Sequence, residues 1–249
     1  MKIKIMFFFL LASSFVYAQD SLSHKNLVIV SFNTDMFNNQ ASKAMLMYSG
    51  MSYNEMVEFF NQSLIRYMDI KFRNHIKTYS LSIALTTNTT DNLYKIWSLQ
   101  SYLLSPIPKT QKRNVDPSSF LATEKQPKGS KGELVQAINS LKGNFLDSKI
   151  NDKKTFSKIF RKLYADYVLI INELDIKEDY SNPYSVGSND YSRQLQVHFT
   201  LFDNRGNKIT GNVATIEFSS QENNIKEIAT KYFPMIADKI RYFIGDYIK

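Results

Sequence analysis

Apolar and polar positions divide the chain into stretches with helical and extended periods. Asn26 to Phe32 is a short, largely apolar run and predicts a buried strand. Ser52-Tyr53-Asn54-Glu55 has the form of a capping box, in which the serine oxygen takes an orphan amide and the glutamate reaches back. Met56, Phe60, Leu64, Tyr67, Met68 and Phe72 then share one stripe, predicting a helix to about Arg73. Tyr79 to Thr86 predicts a second strand, and Leu93, Ile96, Trp97, Leu103 and Leu104 a second helix with Trp97 in its core-facing stripe. A short helix is predicted from Gly132 to Leu146. Another, capped by Asp152, carries Phe156, Ile159, Phe160, Leu163 and Tyr164 on one face.

Tyr167-Val-Leu-Ile-Ile171 has no polar face, which suits a central strand covered on both sides. Leu195, Val197, Phe199 and Leu201 instead alternate with Gln194, Gln196, His198 and Thr200, predicting a strand with one dry and one wet face. Asp203 to Asn207 reads as a turn using Gly206, and Lys208 to Phe218 as its partner strand, with a bulge near Gly211 where alternation slips. The chain closes with a long apolar stripe from Ile225 to Tyr247, which Pro234 is expected to kink or divide. These elements predict an α/β fold: a mixed sheet of about five strands with helices packed on it, closed by a C-terminal hairpin and a long C-terminal helix.

Residues 105–132 break the pattern. Pro106, Pro108, Pro117 and Pro127 are spread among Lys109, Lys112, Arg113, Lys125, Lys128 and Lys131, predicting an exposed basic insertion. At the other extreme, residues 1–18 carry two lysines, an apolar run from Ile5 to Ala12 and a small residue at Ala18, the order of a cleavable secretory signal. Cleavage is expected between Ala18 and Gln19, leaving one α/β domain at 19–249 in the periplasm or outside the cell. The apolar run is far short of the roughly 20 residues of a membrane span, and none is expected after signal removal. Cysteine is absent, which removes disulfides and thiolate metal sites. Without Lys2 and Lys4, 29 basic face 23 acidic side chains, a net charge of +6. That points to an envelope protein or an anionic envelope polymer as partner rather than to nucleic acid.

Candidate chemistry is sparse. There is no G-x-G-x-x-G, G-x-x-x-x-G-K-[ST], G-x-S-x-G or H-E-x-x-H, and eight glycines leave little for phosphate-cradling loops. No catalytic residue, metal or cofactor is assigned. His24, His75 and His198 lie far apart in sequence, and His198, on a polar strand face, reads as a surface residue. Glu173, Asp175, Glu178 and Asp179 cluster around a strand end; exposure explains them as well as acid/base work does. "YSNPYSVGSNDY", 180–191, mixes tyrosines with small polar residues in the manner of binding loops. An ordinary hairpin connection fits it too. Tyr180, Tyr184 and Tyr191, with Gln194, Gln196 and His198 on the adjoining wet face, are the candidate binding residues.

"VIVSF" after the export signal, "ADYVLIINEL" at the central strand and "FTLFDNRGNKI" at the hairpin carry a resemblance. With the order of elements, they make the chain similar to a group of bacterial envelope domains. These are the amino-terminal domain of the Tol-system propeller protein, the curli-secretion channel subunit and the outer-membrane lipoproteins that activate penicillin-binding proteins. The resemblance covers most of the chain after residue 18 outside 105–132, but the lipid-attachment cysteine of the last two families is missing. It implies an envelope setting with protein binding as the usual role, and carries no catalytic residues over. A soluble, exported, non-catalytic binding or assembly accessory is therefore expected; the alternative is a secreted hydrolase of envelope material using the acidic strand end at 173–179.

Overall fold

The computed structural model describes residues 25–82, 87–108, 143–179 and 191–248, with backbone only for 87–90. Six strands form the main sheet: β1 (Asn26–Val30), β2 (Phe37–Asn39), β3 (Lys77–Leu81), β6 (Tyr167–Asp179), β7 (Ser192–Asp203) and β8 (Lys208–Ser219). The order is β3-β1-β6-β7-β8, and β2 extends the line of β1 along β6. Pairing is parallel from β3 to β6 and antiparallel from β6 to β8. A second sheet has two antiparallel strands, β4 (Gln100–Pro106) and β5 (Asn144–Ile150). The helices are α1 (Ser42–Ser49), α2 (Tyr53–Phe72), α3 (Thr87–Ser98), α4 (Lys153–Lys162) and α5 (Ile225–Ile244). The α/β architecture matches the sequence expectation, with one more strand in the main sheet.

The reason β6 is apolar on both faces is now visible. Leu169, Ile171, Leu174 and Ile176 face a core shared with α2 and α5, including Phe60, Met68, Phe233 and Ile240. Val168 and Ile170 face a smaller core made with Trp97 of α3, Phe156 and Phe160 of α4, and Phe202. Trp97 is buried as expected and donates its indole N–H to the Ser31 carbonyl. The α2 capping box forms in full, with Glu55 N–H on Ser52 Oγ and Ser52 N–H on Glu55 Oε2 at 2.8 Å. Asp152 caps α4 through the Thr155 N–H.

Several expectations are corrected. Leu103 and Leu104 do not continue α3; the helix stops at Ser98, and both lie on β4. Leu146 lies on β5, not at a helix end, while residues 109–142, most of the basic insertion and of the predicted 132–146 helix, fall outside the described residues. Ser105 and Pro106, expected to open the insertion, lie on β4 instead. Pro234 sits inside one undivided helix. Gly206 takes the positive φ its turn requires, +77°, but the bulge in β8 falls at Ile209, where the register passes from Leu201–Thr210 to Phe202–Lys208. At Gly211 the cause is different: the Phe145 ring lies so close that an added Cβ would stand 2.8 Å from it.

A buried acid and histidine group beneath the β4–β5 hairpin

The second face of the sheet is where the wet face of β7 was expected, and the hairpin covers part of it. The coverage follows from an edge problem: β5 pairs with β4 on one side only, so its other row of backbone groups needs partners. Side chains of the main sheet supply them. His198 Nδ1 accepts from the Leu146 N–H at 2.8 Å, Asn172 Nδ2 donates to the Leu146 carbonyl at 2.8 Å, and Thr200 Oγ1 accepts from the Ser148 N–H at 3.2 Å. Thr200 in turn donates to Asp147, which also receives Ser105 Oγ and Lys208 Nζ. A bulge in β6 makes this possible. Ile171 pairs with Phe199 and Glu173 with His198, so Asn172 is an extra residue that turns to the second face beside Glu173.

His198 is consequently only 5% exposed and Asp175 2%, not the solvent-facing residues their sequence context suggested. His198 Nε2 stands 3.5 Å from Asp175 Oδ2 and 3.8 Å from Glu173 Oε2. Lys177 Nζ lies 2.8 Å from Asp175 Oδ2. Burial, and then the Asp175 charge, push the Glu173 carboxyl up to about 7. For Asp175 burial works in the same direction, but the N–H of His198 and the Lys177 ammonium outweigh it and hold the carboxyl below its ordinary value. On β4, burial and the nearby Glu173 push the Tyr102 hydroxyl up to about 12. The two acids are thus driven apart: Asp175 carries the negative charge and Glu173 holds its proton to higher pH.

By distance, Glu173, Asp175 and His198 could converge on a metal ion. The chemistry of the donor set does not fit. A histidine that ligates through Nε2 carries its proton on Nδ1, where an acceptor normally awaits it. Here Nδ1 meets the N–H of Leu146, so the proton belongs on Nε2, pointing at the carboxylates. Lys177 already neutralises Asp175. His198 Nε2 and Asp175 Oδ1 are buried without a hydrogen-bond partner of their own, but ligation through Nε2 would set a proton on Nδ1 against the Leu146 N–H and undo the docking of β5.

From Asp175 a chain of hydrogen bonds runs outward. Lys177 Nζ donates to Gln196 Oε1 at 2.9 Å, Gln196 Nε2 to Gln194 Oε1 at 3.0 Å, and Gln194 Nε2 to Asp179 Oδ2 at 3.2 Å. All four side chains are half-buried. Tyr191 immediately precedes β7, its hydroxyl donating to Glu178 at 2.6 Å and its ring under Arg193, both in step with the residues that face α5 and so on the other side of the sheet from the strip. Tyr180 and Tyr184 lie outside the described residues. Of the predicted binding residues, the structure therefore brings Gln194 and Gln196 together, pins Tyr191 at the edge and buries His198. The residues that sequence reasoning missed are Asn172, Lys177, Thr200 and Tyr102. Two surface depressions, of about 490 and 360 Å³, are lined respectively by residues such as Asp69, His75 and Thr78, and by residues such as Leu103, Asp147 and Lys208. Neither wall includes Glu173, Asp175 or His198.

No protein-family model matches the chain, and no curated protein is similar to it. Among solved structures it is similar to the lipoprotein GNA1162 of Neisseria meningitidis, at 10% identity over 89% of this chain and 99% of that one, with a TM-score of 0.34. It is also similar to the hypothetical protein CT253 of Chlamydia trachomatis, at 11% identity over 87% and 95%, with a TM-score of 0.32. A third is the Evf virulence factor, at 11% identity over 90% and 80%, with a TM-score of 0.20. At these scores the likenesses carry neither family nor function to this chain. Among the described residues no helix is long and apolar enough to cross a membrane.

Proposed function

We propose that the chain is an exported, non-catalytic binding or assembly accessory of the bacterial envelope, which docks another envelope protein at the open end of its second sheet face. One observation carries this. Leu146 sits opposite His198 and Ser148 opposite Thr200, so β5 runs beside β7 in the same sense. The open end of the hairpin, Ile107 and Gly143, therefore lies toward the start of β7, where Asp179 and Tyr191 bracket residues 180–190. The described residues that flank 109–142 and 180–190 thus lie toward one end of the sheet, beside the strip of Lys177, Gln196, Gln194 and Asp179. That strip has its donors and acceptors fixed in advance, which lowers the ordering cost of binding.

A hydrolase draws its support from the opposed Glu173 and Asp175 carboxyls, an arrangement that separates an acid from a base. Against it stand the burial of Asp175, its ion pair with Lys177 and the engagement of His198 Nδ1 by the backbone. Serine at Tyr180 and Tyr184 together tests the proposal: partner affinity should fall at least tenfold, about 1.4 kcal/mol, with the melting temperature unmoved. Tyr191 is left intact, because its bond to Glu178 is structural. Unchanged affinity would remove the tyrosines from the interface, and loss of a polymer-cleaving activity in Glu173→Gln would favour the hydrolase.

A further inference from the structure

We infer that the β4–β5 hairpin is held by a proton-sensitive latch at His198, closed when the imidazole is neutral and opened at Leu146 when it takes a second proton. The geometry allows one neutral form. Nδ1 accepts from the Leu146 N–H at 2.8 Å, so the single ring proton lies on Nε2, facing Asp175 at 3.5 Å and Glu173 at 3.8 Å. A second proton can enter only at Nδ1, and there it sets donor against donor. Histidine is the side chain whose charge ordinarily changes between about pH 5 and 8, and an exported protein meets the pH of its surroundings.

The charged and titratable groups around the ring come from every packed element. On β6 they are Asp175 and Glu173, which face Nε2, and Lys177, which is paired with Asp175. On β4 there is the hydroxyl of Tyr102, near Glu173. On β5 and β8 there are Asp147 and Lys208, paired with each other and joined to β7 through Thr200. On β7 itself the neighbours Gln196 and Thr200 do not titrate. The two carboxyls face Nε2 and the Leu146 N–H faces Nδ1, so a second proton enters where it finds a donor and no acceptor. Opening is local, because the Ser148 N–H is held by Asp147 Oδ1 at 2.9 Å and Thr200 Oγ1 at 3.2 Å, neither of which is bonded to the His198 ring, and Phe145 stays packed against Gly211. The inference does not depend on what the domain binds, although the latch lies next to the strip proposed as its contact surface.

Amide hydrogen exchange of the full chain at pH 7.5 and 5.0, expressed as protection relative to the free peptide rate, tests this directly. Leu146 should lose at least tenfold in protection at pH 5.0, while Ser148 changes far less. In His198→Asn the amide oxygen stands where Nδ1 stood and cannot be protonated, so Leu146 should keep its protection at both values. Unchanged Leu146 protection in the wild type would overturn the latch. So would a loss at Leu146 that persists undiminished in His198→Asn, which would place the pH response elsewhere. Should His198→Asn fail to fold, the ¹⁵N shifts of the wild-type ring decide instead: a proton on Nδ1 at pH 7.5 contradicts the closed form, and a proton on Nε2 alone supports it.

Discussion

Replacing Glu173 by Gln should stabilise the protein at pH 8 and leave it unchanged at pH 4.5. The Glu173 carboxyl titrates near 7 instead of its ordinary 4.5, first because it is buried and then because Asp175 is beside it. A carboxyl whose pKa is raised in the folded state favours folding while it is protonated. Its contribution is complete below about pH 4.5 and is lost as the pH rises to 7. The full shift corresponds to roughly 3 kcal/mol at 1.36 kcal/mol per unit. The Glu173 side chain is 22% exposed, and solvent screening brings a realistic figure to about 1.5 kcal/mol. Glutamine has the shape of the protonated acid and never ionises, so the variant keeps what the wild type loses. At about 2–4 °C per kcal/mol for a chain of this size, the gain is about 3–6 °C in melting temperature at pH 8. Urea unfolding of both proteins at half-unit steps from pH 4.5 to 8 measures it. Curves that run parallel over the whole range would refute the raised carboxyl; a variant less stable at pH 8 would show that the ionised Glu173 has a partner.

Other substitutions test the docking of the hairpin and the frame that carries it. Asn172→Ala leaves the Leu146 carbonyl without its donor and should cost about 1–3 kcal/mol in denaturant unfolding. Gly211→Ala drives a methyl into the Phe145 ring and should cost about 1–3 kcal/mol, part of it recovered when Phe145→Leu is added. Ser52→Ala removes the capping box of α2 and should cost about 1 kcal/mol by thermal melting. Joining Pro108 to Gly143 with a short Gly/Ser bridge should preserve a cooperative melt, since β4 and β5 pair up to the junction; loss of the transition would make 109–142 part of the core.

The fold was legible where a single period governs a segment. The apolar run of β6, the striped faces of α2, α4 and α5, the capping box at Ser52 and the turn at Gly206 each follow from local chemistry and are present, except that Tyr164, expected on the α4 stripe, lies past the helix end at positive φ and is exposed. What escaped was decided by contacts distant in sequence. Leu103 and Leu104 continue a helical spacing from Leu93, yet pair with Asp147 and Leu146 across the hairpin, a choice that no periodicity within 93–104 reveals. Gln194, Gln196, His198 and Thr200 alternate as a solvent face should, and the first two remain half-buried. His198 and Thr200 are covered because β5 needs partners for its free edge, and only polar side chains could provide them. The one available signal was Asn172, a polar residue between Ile171 and Glu173 that breaks alternation in β6. Glu173 and Asp175 were singled out as a pair; their burial was not readable, since it depends on a hairpin that the sequence pattern had assigned to helices.

Photo-crosslinking in living cells, with the reactive group placed in turn at Gln194, at Arg161 on α4 and at Lys226 on α5, tests the binding proposal most directly. The three positions share one fold and differ only in the surface they report. A single adduct of defined mass from Gln194, absent from Arg161 and Lys226 and lost when Tyr180 and Tyr184 are serine, is the expected result. Adducts of equal yield from all three positions, or one from Lys226 alone, would contradict it.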